Sequence, residues 1–261
     1  MSESSLSLGY ADFRAAIAYY LGYGRNSGIW TSNQEDDINH CLKRGLRQFY
    51  SPPILQGDSL PHRWSFMRPL TTLVTVSGTW EYTAPDNFGA LDGNMTYESG
   101  TMSCPLRIVS EVAIRTMRQP EDLAGYPRCV AVVPIASDGG SGQRFKFQLF
   151  PNPDAVYTLT YAFFVLPSTL SDAKPYPLGG EQHGDTIMQS CLAAAELSIS
   201  EGASEIHRLK FMERLAASVG FDRQLSTPDR FGYNGDRSGQ RGQDQRPITY
   251  VTYEGQLYEG Q

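Results

Sequence analysis

The sequence predicts an α+β fold: a helical bundle drawn from both ends of the chain, an inserted antiparallel β-sheet or sandwich, and an extended C-terminal arm. Three observations carry that expectation. Apolar residues recur at spacings of three and four in two stretches before Pro52 and again over residues 185–219, the period of an amphipathic helix. Between residues 60 and 167 the period shortens to two, and the stretches are punctuated by Gly, Pro and Asn, which reads as strands and turns. From Asp222 onward Gly, Gln, Asp and Arg dominate until a β-prone tip. The divisions expected are 1–59 for the first part of the bundle, 60–175 for the β insert, 176–222 for the second part of the bundle and 223–261 for the arm.

Residues 10–21 form the first expected helix, with Phe13, Ala16, Ile17, Tyr20 and Leu21 on one face. Gly22, Gly24 and Gly28 stop it. The organising helix spans roughly residues 34–50. Asn33 is the expected cap, and Glu35, Asp36 and Asp37 put negative charge at the positive end of the helix dipole. Ile38, Cys41, Leu42, Leu46, Phe49 and Tyr50 make its apolar stripe, with Lys43, Arg44 and Arg47 on the other side. Ser51-Pro52-Pro53 ends it, because proline has no amide to donate and disfavours helix in the residue before it.

In the insert, residues 62–67, 70–76 and 78–83 read as strands and residues 85–94 as a loop. Residues 106–119 are compatible with a strand or a short helix. Residues 129–134, 144–150 and 156–165 are further strands, with Asp138-Gly139-Gly140-Ser141-Gly142 as a hairpin loop and Pro151-Asn152-Pro153-Asp154 in a tight turn. The aromatics Trp64, Phe66, Trp80, Tyr82, Tyr157, Tyr161, Phe163 and Phe164 are expected to form the sheet core. Beyond Tyr176-Pro177-Leu178-Gly179-Gly180 a helix opens at Gly184-Asp185, with Ile187, Met188, Cys191, Leu192 and Ala195 as its stripe. Residues 200–204 break it. A last helix carries Ile206, Leu209, Phe211, Leu215 and Val219 and is expected to stop at Gly220.

Composition excludes several function classes. Hydrophobic residues make up 40% of the 261 and the net charge is −6, so the chain is neither disordered nor a broad basic grip for nucleic acid. A like-charged wall gains nothing by counterion release and lets DNA slide past. No run is long enough to span a membrane and the N-terminus lacks the pattern of a secretory signal, so synthesis in a cytoplasm is expected. The cysteines (Cys41, Cys104, Cys129 and Cys191) lie far apart without ligand spacing, so no zinc site and no cofactor is expected. No nucleophile elbow, phosphate loop, zincin helix or dinucleotide fingerprint is present. His40 and His207 read as surface groups, His62 has no partner in sequence, and His183 near Glu181 and Asp185 lacks a nucleophile to serve as base. The acidic turn Glu35-Asp36-Asp37 reads as helix-dipole chemistry and not as a cation site.

The arm ends in Ile248-Thr249-Tyr250-Val251-Thr252-Tyr253, a compact strand-former on a polar tether. Such a segment can pair with another subunit's sheet edge, return to its own sheet, or remain a tail. Arg223, Arg230, Arg237, Arg241 and Arg246, with Ile248, Tyr250, Val251 and Tyr253, are the candidate docking residues. The arginines either face an acidic partner surface or keep the arm solvated.

The residues Asp36-Asp37-Ile38-Asn39 through Phe49-Tyr50-Ser51-Pro52-Pro53, Trp64-Ser65-Phe66-Met67-Arg68-Pro69, Pro151-Asn152-Pro153-Asp154 with Tyr157-Thr158-Leu159-Thr160-Tyr161, and Tyr176 through Glu196 carry a resemblance. In these phrases and their order the chain resembles tailed-bacteriophage head-to-tail connector (adaptor) proteins. The resemblance implies a non-enzymatic virion protein made in the host cytoplasm. It implies a homo-oligomeric ring, often of twelve subunits, docked on the portal protein above and on a tail or nozzle protein below. DNA would pass through the lumen without sequence-specific binding, and terminal arms would dock on portal or neighbouring subunits. The alternative is a β-sandwich module of a phage tail or neck that binds a glycan through its aromatics.

Overall fold

The computed structural model describes residues 4–55, 58–98, 104–120, 123–137, 139–140, 142–199, 205–225, 250–253 and 256–259. Five helices and two packed sheets give the expected α+β class. Helix α1 (Tyr10–Tyr20) buries Phe13, Ile17 and Ala18. Helix α2 (Ser32–Tyr50) buries the expected stripe of Ile38, Cys41, Leu42, Leu46, Phe49 and Tyr50, and adds Gly45. Its cap is Thr31, not Asn33. Thr31 Oγ1 accepts from the Gln34 N–H at 3.4 Å and Gln34 Oε1 accepts from the Thr31 N–H at 2.9 Å, a reciprocal box that satisfies two terminal donors at once. The acidic turn is engaged: Glu35 accepts from Arg14 at 2.9 Å and Asp37 from the Tyr23 hydroxyl at 2.9 Å.

Helix α4 (Gly184–Ile199) lies against α2 at Gly45. The Ser190 hydroxyl donates to the Gly45 carbonyl at 2.8 Å, and a Cβ on Gly45 would sit 2.5 Å from the Cys191 Cα. Only glycine permits that approach. Helix α5 (Ile206–Leu225) packs back on α4, with the Thr186 and Ser218 hydroxyls 2.7 Å apart in the buried seam. Two expectations for α5 fail. Gly220 does not end the helix, because the buried positions Phe211, Leu215, Val219 continue in phase to Asp222. Ile206 and Leu209 are exposed at 58% and 65%; stepping back from Phe211 by one turn reaches His207, which takes the inward face instead. His207 is half-buried, with its Nδ1 2.9 Å from Gln189 Oε1 and its ring 5.0 Å from Tyr20, not a surface group. Burial pushes its pKa down, against the pull of Glu196.

The insert is a pair of sheets packed face to face. In the first, β1 (Leu70–Val74), β7 (Thr158–Val165) and β3 (Phe88–Tyr97) run antiparallel in the order β1-β7-β3. In the second, β2 (Glu81–Thr83), β6 (Phe145–Phe150), β5 (Cys129–Pro134) and β4 (Arg107–Ile108) follow in that order, with β4 parallel to β5. The parallel pair arises because residues 106–119 divide: a short strand, then α3 (Glu111–Arg118), capped by Ser110. The inner faces meet through aromatic rings, with Phe88 5.2 Å from Phe147 and Phe147 5.3 Å from Tyr161. Residues 85–94 are not one loop. Phe88, Met95 and Tyr97 are buried in the core, so β3 forms through them and takes up Gly93 and Asn94 at a register shift.

Residues 62–67 are not a strand. Their alternation belongs to an extended segment with a 3₁₀ turn at Ser65–Met67, and Trp64, Phe66 and Met67 pack on the helical core instead of the sheet. The other aromatics expected in the insert do line or flank its core, apart from Trp80, which lies under Arg118, and Phe164, which faces outward under Arg63 and Arg68. Near the chain end β8 (Tyr250–Tyr253) pairs antiparallel with β9 (Gln256–Glu259). Among the described residues no helix is long and apolar enough to cross a membrane.

Candidate docking interface

The C-terminal end of α5 is tied down by a cluster assembled from three distant stretches. Helix α2 ends at Phe49-Tyr50 because prolines follow it. The Trp64 indole donates to the Phe49 carbonyl at 2.9 Å, satisfying one of the acceptors a helix end leaves open. Trp64 stacks on Phe49 at 4.6 Å and on Phe66 at 5.3 Å. The loop before α4 closes the cluster from a third side. The Leu178 N–H donates to the Tyr50 hydroxyl at 2.9 Å. Gly179 has φ +106°, and a Cβ there would meet Phe66 at 2.9 Å, so this turn needs glycine both for its backbone and for its space. His183 is buried against Trp64 and Phe66, both at 5.2 Å. Among the described residues its Nδ1 has no hydrogen-bond partner, and burial pushes its pKa down, with Asp222 opposing and His62 adding. It is a neutral packing ring.

Asp222 joins this cluster to α5. It is buried, and it accepts from the Ser65 hydroxyl at 2.6 Å and from the Ser65 N–H at 3.1 Å, while His62 Nε2 lies 2.8 Å away. Burial alone would raise its carboxyl pKa, but the Ser65 bonds and then His62 outweigh this and hold it below the usual range. His, Asp and Ser are together here, yet the carboxylate sits in the middle. A nucleophile is activated when the imidazole occupies that place; this order instead clamps residues 62–65 onto α5. Beside the clamp Arg223 pairs with Asp58 at 2.7 Å.

The candidate docking residues are therefore distributed as follows. Arg223 belongs to the last turn of α5 and to the clamp region, not to an extended arm. Tyr250, Val251 and Tyr253 lie in β8, opposite Glu259, Tyr258 and Gln256 of β9. Arg230, Arg237, Arg241, Arg246 and Ile248 lie outside the described residues. What sequence reading missed is the His62–Asp222–Ser65 clamp. Its partners are far apart in the chain, but Asp222 falls three helical turns from Phe211 on the buried stripe, and that was the legible signal.

No curated protein matches the chain. The family model described as SU10 adaptor protein matches residues 9–237, from the start of α1 through both sheets and beyond α5. The match includes every segment of the aromatic cluster and the clamp. It is a family of phage adaptors, with a structural place in the virion. With the model covering all of the bundle and the insert, the chain belongs to the SU10 adaptor protein family.

Proposed function

We propose that the protein forms a homo-oligomeric ring, of about twelve subunits as the connector resemblance implies, between the portal and the tail of a phage. It docks on the portal protein through its C-terminal arm, meets a tail or nozzle protein on the other side, and leaves a lumen through which DNA passes. The observation that carries this reading is the family match over residues 9–237. Physical features agree with it. The chain is acidic, at net charge −6, which disfavours adhesion of passing DNA. Leu197, Ile199, Ile206 and Leu209 are exposed near the α4–α5 end of the bundle, the kind of apolar surface that subunit or portal contacts cover. The four arginines of residues 226–249 are interspersed with Asp229, Asp236 and Asp244, which suits charge-paired docking better than nucleic-acid binding. Most of the insert's expected aromatics are occupied in packing, and Trp80 and Phe164 lie under arginines, which leaves the glycan-binding alternative little support.

Native mass spectrometry of the protein alone and with a portal ring tests the proposal. Full-length chain is expected to add to the portal as a multi-subunit ring, and a variant ending at Leu225 is expected to remain folded but fail to add. The cut belongs after Leu225 because Asp222 and Arg223 are tied into the body of the protein. A full-length chain that stays at 29.0 kDa in the presence of portal would refute the ring.

A further inference from the structure

The two sheets expose four edges, and they are not equivalent. A bare edge is a template for another strand, and proteins normally blunt it with bulges, charge, proline or brevity. Strand β3 carries two register shifts against β7. Strand β2 is three residues long and holds Glu81 in an ion pair with Lys146. Strand β4 is two residues long. Strand β1 has none of these protections: Leu70, Thr71, Thr72, Leu73 and Val74 pair with β7 in unbroken register and carry no charge.

Its outer side is open. The Phe163 N–H donates to the Pro69 carbonyl and the Thr75 N–H to the Tyr157 carbonyl, so odd-numbered residues of this segment face β7. By alternation, the N–H and C=O groups of Leu70, Thr72 and Val74 face away. Leu70 is 72% exposed and Val74 55%, and among the described residues no strand lies beyond them. The opening has a defined end. At Val76 the outward N–H donates to the Tyr82 hydroxyl at 2.9 Å, and that hydroxyl donates in turn to the Thr79 carbonyl at 2.7 Å. A side chain therefore closes the edge where β1 stops, leaving a slot five residues long.

We infer that this slot accepts the C-terminal hairpin, β8–β9, of a second copy of the chain. The inference rests on the ring reading above and names its subunit contact. The hairpin strands are four residues each, short enough to fit within the slot. In its own chain β8 pairs only with β9 among the described residues. The 24 residues from 226 to 249 span at most about 80 Å when extended, enough to reach a neighbouring subunit. Donation of each hairpin to the next copy is a head-to-tail contact, which closes by rotation into a ring. The contact gains main-chain hydrogen bonds at positions 70, 72 and 74 and covers the exposed Leu70 and Val74.

Complementation between two full-length variants tests this. Thr72→Pro removes an outward donor from β1 without touching its bonds to β7, a substitution that edge strands tolerate. The closing pair of the hairpin, Tyr253 and Gln256, is separated by two residues and so hydrogen-bonded, which leaves Thr252 and Leu257 with outward groups. Thr252→Pro with Leu257→Pro therefore disables the donor. Each variant is expected to lose self-assembly, on or off the portal, by at least tenfold. Mixed, they retain one good edge and one good hairpin, and are expected to give a heterodimer of twice the 29.0 kDa chain mass. Assembly by Thr72→Pro at wild-type strength overturns the inference and leaves the ring reading standing, and so does a mixture that gives no heterodimer. If wild-type chain stays monomeric with portal, the ring reading falls. The slot is then tested alone by titrating a labelled peptide of residues 246–261 into full-length protein. Saturable binding lost in Thr72→Pro supports the slot, and absent or unaltered binding overturns it. Circular dichroism controls for folding, and Thr72→Lys, which places a charge on the edge, replaces the proline variant if that variant unfolds.

Discussion

The helical core gathers residues from Phe13 to Val219, whereas the core of the insert gathers residues from Ala84 to Phe163. The first is closed across the whole chain. The second is closed within a stretch that begins and ends beside it, at strands β1 and β7. The bundle therefore cannot form until both ends of the sequence have met, and every part of its junction is small, buried or polar and placed with little tolerance. The insert is held by many aromatic contacts of similar kind. The difference locates the fragile point of the molecule at the junction of α2, residues 62–67, the loop before α4, and α5.

The largest effect that can break this contrast is a pair of core truncations. Trp64→Ala and Phe147→Ala each remove a fully buried ring and are each expected to cost about 3–5 kcal/mol. They should differ in what they unfold. Trp64→Ala also frees the Phe49 carbonyl, and should lower helical circular dichroism and release α5. Phe147→Ala should leave the helical signal closer to wild type in thermal melts. Equal loss of helix in both would show that the two cores fold as one unit.

Next in size is Gly45→Ala. Its added carbon meets the backbone of Cys191, with Cα at 2.5 Å and N at 2.7 Å, so α2 and α4 must separate. A cost of about 1–3 kcal/mol is expected in urea unfolding. Because the backbone Cα and N of Cys191 stay in the way whatever its side chain, Cys191→Ala should not rescue the variant; rescue would mean that the sulfur, 2.6 Å away, is the true obstacle.

The bundle was legible in sequence wherever one periodic stripe met a strong stop. The α2 stripe and its proline end were read correctly, and so was the Gly184 start. The misreadings share a cause. Residues 62–67 alternate apolar and polar like a strand, but alternation does not say which core receives the apolar side, and Trp64 went to the helices. Ile206 and Leu209 are hydrophobic, yet their phase against Phe211 points them outward. Asp222 opens the polar composition that follows the bundle, and a carboxylate seldom lies in a core; its partners, His62 and Ser65, come from the other end of the chain, where no local pattern announces them. Of the docking residues, sequence marked the β-prone tip, whose strand pairs with β9, but it gave no sign that Arg223 is tied to Asp58.

A smaller effect, and one that divides the junction from the insert by pH, comes from the clamp. Asp222 has its folded pKa held below the ordinary carboxylate value. Its contribution is therefore complete above the unfolded pKa of about 4 and is lost as pH falls through the lower folded value. His183 has a folded pKa below its ordinary value because it is buried. Protonation thus favours the unfolded chain, and stability should begin to fall as pH drops below about 6.5. Asp222→Asn is expected to cost about 1–3 kcal/mol at neutral pH and to flatten the acid limb below pH 4. His183→Gln should flatten the decline that begins below about pH 6.5. Unfolding curves from neutral pH to below about pH 4 check both signs.

The smallest expected effect separates stability from docking. The Arg223–Asp58 pair is partly solvated, with the arginine side chain 53% exposed and the aspartate 23%, so Arg223→Ala should shift stability by only about 0–1 kcal/mol. If Arg223 acts in docking as proposed, the same variant should weaken addition to the portal ring while its melting curve stays near wild type. If it serves only through its ion pair with Asp58, Asp58→Ala should weaken portal addition as Arg223→Ala does, because each removes that pair. Divergence of the two variants in portal binding, with similar melts, would assign Arg223 to the partner surface; coincidence would return it to the clamp.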